Sequence, residues 1–149
     1  MRKATEADTK ACHEFLLENE YAVVASSTAH VPSAAVVMYI MDEDWNFYFF
    51  TRKNTTKHKN LSQNQHIALV VGTGPESTTA QIIGVAKELS EQEADEWMDE
   101  FLVRREGYYA TFLKLQGSDF VGYVVKPSEI HWLKIDAHEE SEDIAMIKV

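Results

Sequence analysis

The sequence is poor in cysteine and in long apolar runs, and each shortage excludes a class of protein. The single cysteine, Cys12, excludes an internal disulfide and a cysteine-based zinc module. No apolar run approaches the roughly 18 residues of a membrane-spanning helix. The N-terminal segment MRKATEADTK lacks an apolar signal core, so we expect a cytoplasmic protein.

Catalytic and metal-binding motifs are missing as well. The six histidines never fall in an HExxH or similar ligand spacing, which argues against a metal site. There is no GxSxG nucleophile elbow, and the GTG at 72–74 lacks the third glycine and the following helix of a dinucleotide fingerprint. The formal net charge of −10 argues against a nucleic-acid partner, because an acidic surface repels phosphates.

Against this acidic background, one basic segment stands out, NFYFFTRKNTTKHKNLSQN at residues 46–64. It reads as an aromatic strand, a hydroxyl-rich loop and the start of a helix. A helix N-terminus favours an anion through its free N–H groups and its dipole, and Lys57 adds a full charge. The hydroxyls of Thr51, Thr55 and Thr56 are further candidate donors. On spacing alone, a phosphate site and a solvated surface loop both remain open.

Periodicity elsewhere predicts one α+β domain over residues 1–149. Two capping boxes, Thr5 with Asp8 and Ser90 with Glu93, predict helices to about Asn19 and to Gly107. Shorter helices are predicted at 56–64 and 108–115. Strands are predicted at 21–25, 33–41, 47–50, 67–71, 78–89, 120–126 and 130–135, with a bend at Gly84.

Two of these predictions concern burial. The strand at 33–41 is apolar on both faces, so we expect it at a buried central position. Residues 137–149 begin with an acidic run, and we expect them to form a solvated tail.

From about Tyr21 to Trp132 the chain resembles the FMN-binding split-barrel family related to pyridoxamine 5'-phosphate oxidase, especially its short general-stress-protein type. Four segments carry the resemblance in order: PSAAVV (32–37), YFFTRKNTTKHKNLSQNQHIALVV (48–71), TAQIIGVAKEL (79–89) and VGYVVKPSEIHWLKID (121–136). The resemblance implies a six-stranded antiparallel split β-barrel with short flanking helices. It also implies a homodimer that holds FMN in clefts at its interface.

The resemblance assigns cofactor contacts residue by residue. Thr51, Thr55 and Lys57 match the family's phosphate-contacting positions, and Thr56 is adjacent to them. Contacts to the flavin ring are expected from Ser33, Ala34, Val36 and Phe50. Gln81 is expected to supply a polar contact, and Trp132 to approach from the partner subunit.

Departures from the family pattern bear on activity. The positions where true pyridoxamine phosphate oxidases carry an arginine and a lysine hold Ala35 and Ile40, and their C-terminal substrate motif is missing. We therefore expect a flavin-dependent oxidoreductase with a small-molecule redox partner rather than a vitamin B6 oxidase. A non-catalytic flavin-binding or stress-response protein, and a split barrel that binds deazaflavin or haem, remain alternatives.

Overall fold

The structure, a computed structural model, describes residues 1–72, 78–105, 119–136 and 141–149. These residues form three helices, α1 (Glu6–Glu18), α2 (Thr56–Gln63) and α3 (Glu91–Arg104). They also form nine strands: β1 (Arg2–Lys3), β2 (Tyr21–Thr28), β3 (Val31–Met38), β4 (Ile40–Met41), β5 (Phe47–Arg52), β6 (His66–Val71), β7 (Thr78–Glu88), β8 (Phe120–Asp136) and β9 (Ser141–Lys148). The helix predicted at 108–115, and Gly107, lie outside the described residues.

The strands make one sheet in the order β1-β9-β8-β7-β6-β2-β3, with β5 and β4 branching from β8. Every pairing is antiparallel except that of β1 with β9. Residues 120–125 of β8 pair with β5, and residues 129–136 pair with β9. The predicted α+β split-barrel class is therefore confirmed, with more strands in the described residues than the six expected.

The core fills the interior of the curved sheet. Its largest side chains are aromatic, among them Tyr39, Phe47, Phe49 and Tyr123, all with 1% exposure or less. Helix α1 closes one end of the core through Cys12 and Leu16. Helix α3 covers a second, smaller apolar cluster on the other side of β5.

The prediction of a buried central strand at 33–41 is wrong. Strand β3 lies at the edge of the sheet, and among the described residues it pairs with β2 alone. Val31 and Val36 are each 67% exposed. An apolar pattern on both faces therefore does not mean burial on both: one face of this strand packs against the protein, and the other is apolar but exposed.

The predicted division into separate strands at 120–126 and 130–135 is also wrong, because β8 runs through Pro127 without interruption. Proline lacks the N–H that a ladder requires, and the register of β7 against β8 shifts at Ile83/Gly84, directly opposite Pro127. A Cβ on Gly84 would meet the carbonyl oxygen of Lys126 at 2.4 Å. The bulge predicted at Gly84 thus lets the two strands stay paired past the proline.

The predicted solvated tail is wrong for residues 141–148, which form β9 against β8. Ala145 and Ile147 are buried. The alternation of buried and exposed residues, and not the acidic start, therefore determines the structure of this segment. Arg2 of β1 binds Asp143 on this strand at 2.5 Å and Asp8 of α1 at 2.7 Å. Residues 137–140 lie outside the described part of the chain.

No helix among the described residues is long and apolar enough to cross a membrane.

Candidate functional site

The loop between β5 and α2 is set by hydrogen bonds at both of its ends. The N–H of Lys53 donates to the carbonyl of Asp119 at 3.0 Å, which extends the pairing of β5 with β8. Thr55 is the N-cap of α2, and its hydroxyl oxygen accepts from the N–H of His58 at 3.3 Å. The strand end and the helix start are therefore held at a fixed separation.

Two threonine hydroxyls join these ends. The Thr55 hydroxyl donates to the carbonyl of Arg52 at 2.8 Å. It lies 3.1 Å from the Thr51 hydroxyl, and because its own proton is already used, Thr51 is the donor of that bond. Within the loop both hydroxyl protons are thus engaged. A helix begins with backbone N–H groups that have no intrahelical partner, and in α2 Thr55 satisfies that of His58.

A third feature of α2 is its lack of an acidic residue. The first turns of α1 and α3 each contain the carboxylate of a capping box, Asp8 and Glu93 respectively. In α2 the matching position is His58, and the first turn contains no acidic side chain. This helix therefore leaves the positive end of its dipole uncompensated by its own residues.

Positive side chains lie at the same place. Lys57 is partly buried, and desolvation lowers its pKa. It forms no ion pair with any residue of the described ranges. Arg52, at the end of β5, is the second cation. A partly desolvated lysine without a carboxylate partner is the arrangement expected where an anion binds.

A cavity of about 500 Å³ opens beside this loop. Its polar end contains Thr51, Arg52, Asn54, Thr55 and Lys57, and its other end is apolar. The apolar lining consists of Tyr21, Val36, Val37, Met38 and Phe50. No acidic residue lines it among the described residues. The volume is within the range of about 300–1,000 Å³ usual for small-molecule and cofactor sites.

The structure brings five of the ten predicted site residues to this cavity, namely Val36, Phe50, Thr51, Thr55 and Lys57. Thr56 is the exposed first residue of α2, next to the cavity but not in its lining. Ser33 and Ala34 lie further along β3, where they pair with Ser26 and Ala25. Their cofactor contacts stay predictions.

The other two predicted residues lie on β7 and β8. Gln81 is exposed on the outer face of β7, and its role remains a prediction. Trp132 needs a correction, because it is only 3% exposed and packs inside its own chain against Phe15, with ring centroids 5.1 Å apart. It cannot present its ring to a partner subunit from this position.

Sequence reasoning missed five residues of the lining: Tyr21, Val37, Met38, Arg52 and Asn54. Arg52 and Asn54 belong to the basic segment itself and could have been included by proximity. Tyr21 is different, because only the pairing of Tyr21 with Met38 brings it to the cavity. No local motif signals that contact.

A family model described as pyridoxamine 5'-phosphate oxidase matches residues 8–138. The chain belongs to the pyridoxamine 5'-phosphate oxidase family. The family relationship expected from the four ordered segments is therefore confirmed.

Two curated members of this family illustrate how far the likeness extends. The pyridoxine/pyridoxamine 5'-phosphate oxidases of Salinibacter ruber and Ehrlichia ruminantium are each 32% identical to the chain, over 53% and 66% of its length. These matches cover 37% and 44% of the two relatives. The chain thus matches less than half the length of each of these oxidases.

Three solved structures of the same fold match between 82% and 98% of the chain. A Clostridium acetobutylicum protein related to general stress protein 26 has a TM-score of 0.73 at 14% identity, over 98% of this chain and 97% of its own. A heme binding protein from Mycobacterium smegmatis has a TM-score of 0.74 at 14% identity, over 97% and 59%. A FAD-binding protein from Mesorhizobium loti has a TM-score of 0.66 at 12% identity, over 82% and 89%. At these identities the likeness is one of fold.

Proposed function

We propose that the chain binds FMN in the 500 Å³ cavity and works as a flavin-dependent oxidoreductase with a small-molecule redox partner. The observation that carries this proposal is the N-terminus of α2. It lacks a carboxylate of its own and faces a cavity that contains Arg52 and Lys57. A phosphate there would complete the helix terminus as Asp8 and Glu93 complete the other two.

In the same proposal, the flavin ring lies against the apolar end of the cavity. Val36, Met38 and Phe50 offer apolar surface next to the phosphate end. A ligand with one anionic end and one planar, largely apolar end matches this division, and FMN has that form. When bound, FMN would supply the electron transfer itself, so the chain's residues need only bind and orient it.

The proposal includes a homodimer with the cavity at its interface. Support comes from β3, an edge strand on which Val36 is 67% exposed. Val36 also lines the cavity. An exposed apolar edge next to a ligand site is a natural contact surface for a second subunit.

Oxidation of a vitamin B6 phosphate is not part of this proposal. Ile40, at one of the positions where the oxidases carry a charge, is fully buried. Ala35 alternates with Val36 along β3 and does not line the cavity. Neither position offers a charged group to the phosphate of such a substrate.

Haem has less support than flavin. His58 is held by a 2.5 Å hydrogen bond between its Nδ1 and the hydroxyl of buried Tyr123. His131 is bonded to Glu129. Both candidate axial ligands are therefore engaged away from the cavity lining. The visible spectrum of the purified protein tests the ligand class, because flavin, deazaflavin and haem absorb differently.

Titration of FMN against Lys57→Ala tests the site. Loss of a charge-assisted contact should weaken FMN binding roughly tenfold to a hundredfold. Lys59→Ala is the matched control, because Lys59 lies on the same helix but is exposed and outside the cavity lining. Equal affinities for the two variants would remove Lys57 from the site.

A second measurement separates an enzyme from a non-catalytic binder. The FMN-loaded protein should be reduced by a nicotinamide donor and reoxidised by an acceptor over many cycles. Retention of oxidised flavin with every donor supplied would favour the binding protein.

A further inference from the structure

A second cavity, here named the α3 cavity, lies between helix α3 and the paired strands β5 and β8. Its volume is about 540 Å³, which is also within the range usual for small-molecule sites. Among the described residues, Phe50 is the one that lines both this cavity and the 500 Å³ cavity beside the basic loop. The proposed function leaves the α3 cavity without an occupant.

The floor of the α3 cavity is apolar and closely packed. Phe50 and Leu89 are only 7% and 8% exposed, and Gly122 lies against both of them. A Cβ on Gly122 would come within 2.8 Å of the Phe50 ring and 3.0 Å of Leu89, so the glycine lets these two side chains close the floor. Met98 of α3 packs against the same cluster and forms a wall. Floor and wall together offer a surface to the apolar part of a ligand.

The rim of the α3 cavity is charged and mainly acidic. Glu91 and Asp95 of α3 line it, together with Glu88 at the end of β7. Because Glu91 and Asp95 are four residues apart on one helix, their carboxylates lie on the same face and repel each other. Neither carboxylate forms an ion pair within the described part of the chain. A bound cation would relieve this repulsion.

Helix capping does not account for this pair of carboxylates. The N–H of Ser90 donates to the Glu93 carboxylate at 3.1 Å, and the N–H of Glu93 donates to the Ser90 hydroxyl at 3.2 Å. Glu93 therefore already places an anion at the positive end of the α3 dipole. Asp95 lies beyond the first turn, so its place next to Glu91 serves no cap.

One cation also lines the α3 cavity, at a distance from the acidic end of the lining. The N–H of Lys53, just after β5, donates to the carbonyl of Asp119, whereas Glu88 is the register partner of Tyr123. Strand β8 runs between the two, so their backbones are at least about 10 Å apart. This distance exceeds the Debye length of about 8 Å at physiological ionic strength. Lys53 therefore does not cancel the field of the carboxylates.

A metal ion and a phosphate both fit this lining poorly. No group of three or more histidine, cysteine, aspartate or glutamate side chains in the described ranges is arranged to hold a metal ion. Three acidic residues and one lysine line the cavity, and this balance disfavours an anion. An organic cation fits both features, because its charged group can lie at the rim and its apolar body on the floor.

We propose that the α3 cavity binds a small organic ammonium ion with an apolar body. Glu91 and Asp95 bind the ammonium group at the rim. The body lies on Phe50 and Leu89 and against Met98. This site is separate from the one in the proposed function, and its occupation does not require FMN.

Methionine methyl groups labelled with ¹³C report on the two cavities separately by NMR. Met98 lines the α3 cavity, and Met38 lines the 500 Å³ cavity; Met98→Leu assigns the Met98 signal. The probe is phenethylammonium chloride, and its matched control is 2-phenylethanol, which has a neutral hydroxyl in place of the ammonium group. In FMN-free protein the ammonium ion should shift the Met98 signal saturably, with a Kd roughly threefold to tenfold lower than that of the alcohol. The Met38 signal should not move.

Charge-neutral variants test the two carboxylates. Glu91→Gln combined with Asp95→Asn should abolish the preference for the ammonium ion and leave the Kd of the alcohol unchanged, which also verifies that the variant is folded. Asp99→Asn combined with Glu100→Gln removes the same charge from exposed positions of α3 outside the cavity lining. This control pair should retain the preference.

Four results would overturn the proposal. They are a Met98 signal that does not saturate with the ammonium ion, equal Kd values for the ion and the alcohol, a shift confined to Met38, and an equal loss of preference in the control pair. Failure of the protein to bind FMN would overturn the proposed function alone, because the titration contains no flavin.

Discussion

The N-termini of α1 and α2 are both capped by a threonine side chain, but only that of α1 also has a carboxylate in its first turn. At α1, Asp8 accepts from the N–H of Thr5 at 2.8 Å and from Arg2 at 2.7 Å, so the terminus is closed by the protein's own anion. At α2, Thr55 caps one N–H, but no acidic residue follows it in the first turn. The difference separates a terminus completed within the chain from one that, under the proposed function, is completed by a ligand.

The largest expected effect comes from giving α2 the anion it lacks. Lys57→Glu places a carboxylate in the first turn and removes the lysine, so FMN affinity should fall more than about 100-fold. Riboflavin, which has the ring but no phosphate, should bind the variant and the unmodified protein alike. Lys59→Glu is the charge-matched control. Equal losses of affinity for FMN and for riboflavin would contradict the binding of phosphate and ring at separate ends of the cavity.

A smaller effect is expected from removing the carboxylate at the N-terminus of α1. Asp8→Ala removes the capping carboxylate and should lower the free energy of unfolding by about 1–2 kcal/mol, measured by urea denaturation at neutral pH. Glu93→Ala, at the exposed terminus of α3, should cost less. FMN affinity should not change in either variant.

The Asp8 effect should depend on pH. Arg2 is the largest cause of a lowered Asp8 pKa, followed by the hydrogen bonds from Thr5. A carboxyl whose folded-state pKa is depressed stabilises the protein above its unfolded pKa, near 4, and loses that contribution as the pH falls further. The stability difference between the unmodified protein and Asp8→Ala should therefore shrink in acid. A constant difference down to pH 2 would contradict the assignment.

The smallest effect concerns Lys57 without a ligand. Because burial disfavours its charged form, replacing it with methionine should leave the ligand-free protein equally stable or more stable, by no more than about 1 kcal/mol. The same variant should lose FMN affinity. A clear drop in the melting temperature of the ligand-free protein would show that Lys57 has a structural partner.

The polar end of the cavity was predictable because it is local. Thr51, Thr55 and Lys57 lie within seven consecutive positions, and the strand, loop and helix that hold them follow one another directly. Capping boxes at Thr5 and Ser90 were predictable for the same reason.

The apolar end of the cavity depends on tertiary pairing, which local sequence does not reveal. Tyr21 reaches the cavity only through its register with Met38. Whether Trp132 or His131 points outward depends on the shift at Ile83/Gly84, since a slip of one residue exchanges the two faces of a strand. Strand β9 was missed because the acidic residues of its first half conceal the alternation of Ala145 and Ile147.

The double pairing of β8 has a consequence for the order of assembly. Strand β5, which contributes Phe50, Thr51 and Arg52 to the cavity lining, pairs with a strand some 70 positions later in the chain, as in the pairing of Thr51 with Val121. Such distant contacts form late, because a long loop must close before they contribute. During synthesis the basic loop therefore leaves the ribosome well before its supporting strand. The cavity beside this loop is complete only when the C-terminal third has been made, so under the proposed function a nascent chain cannot bind FMN early.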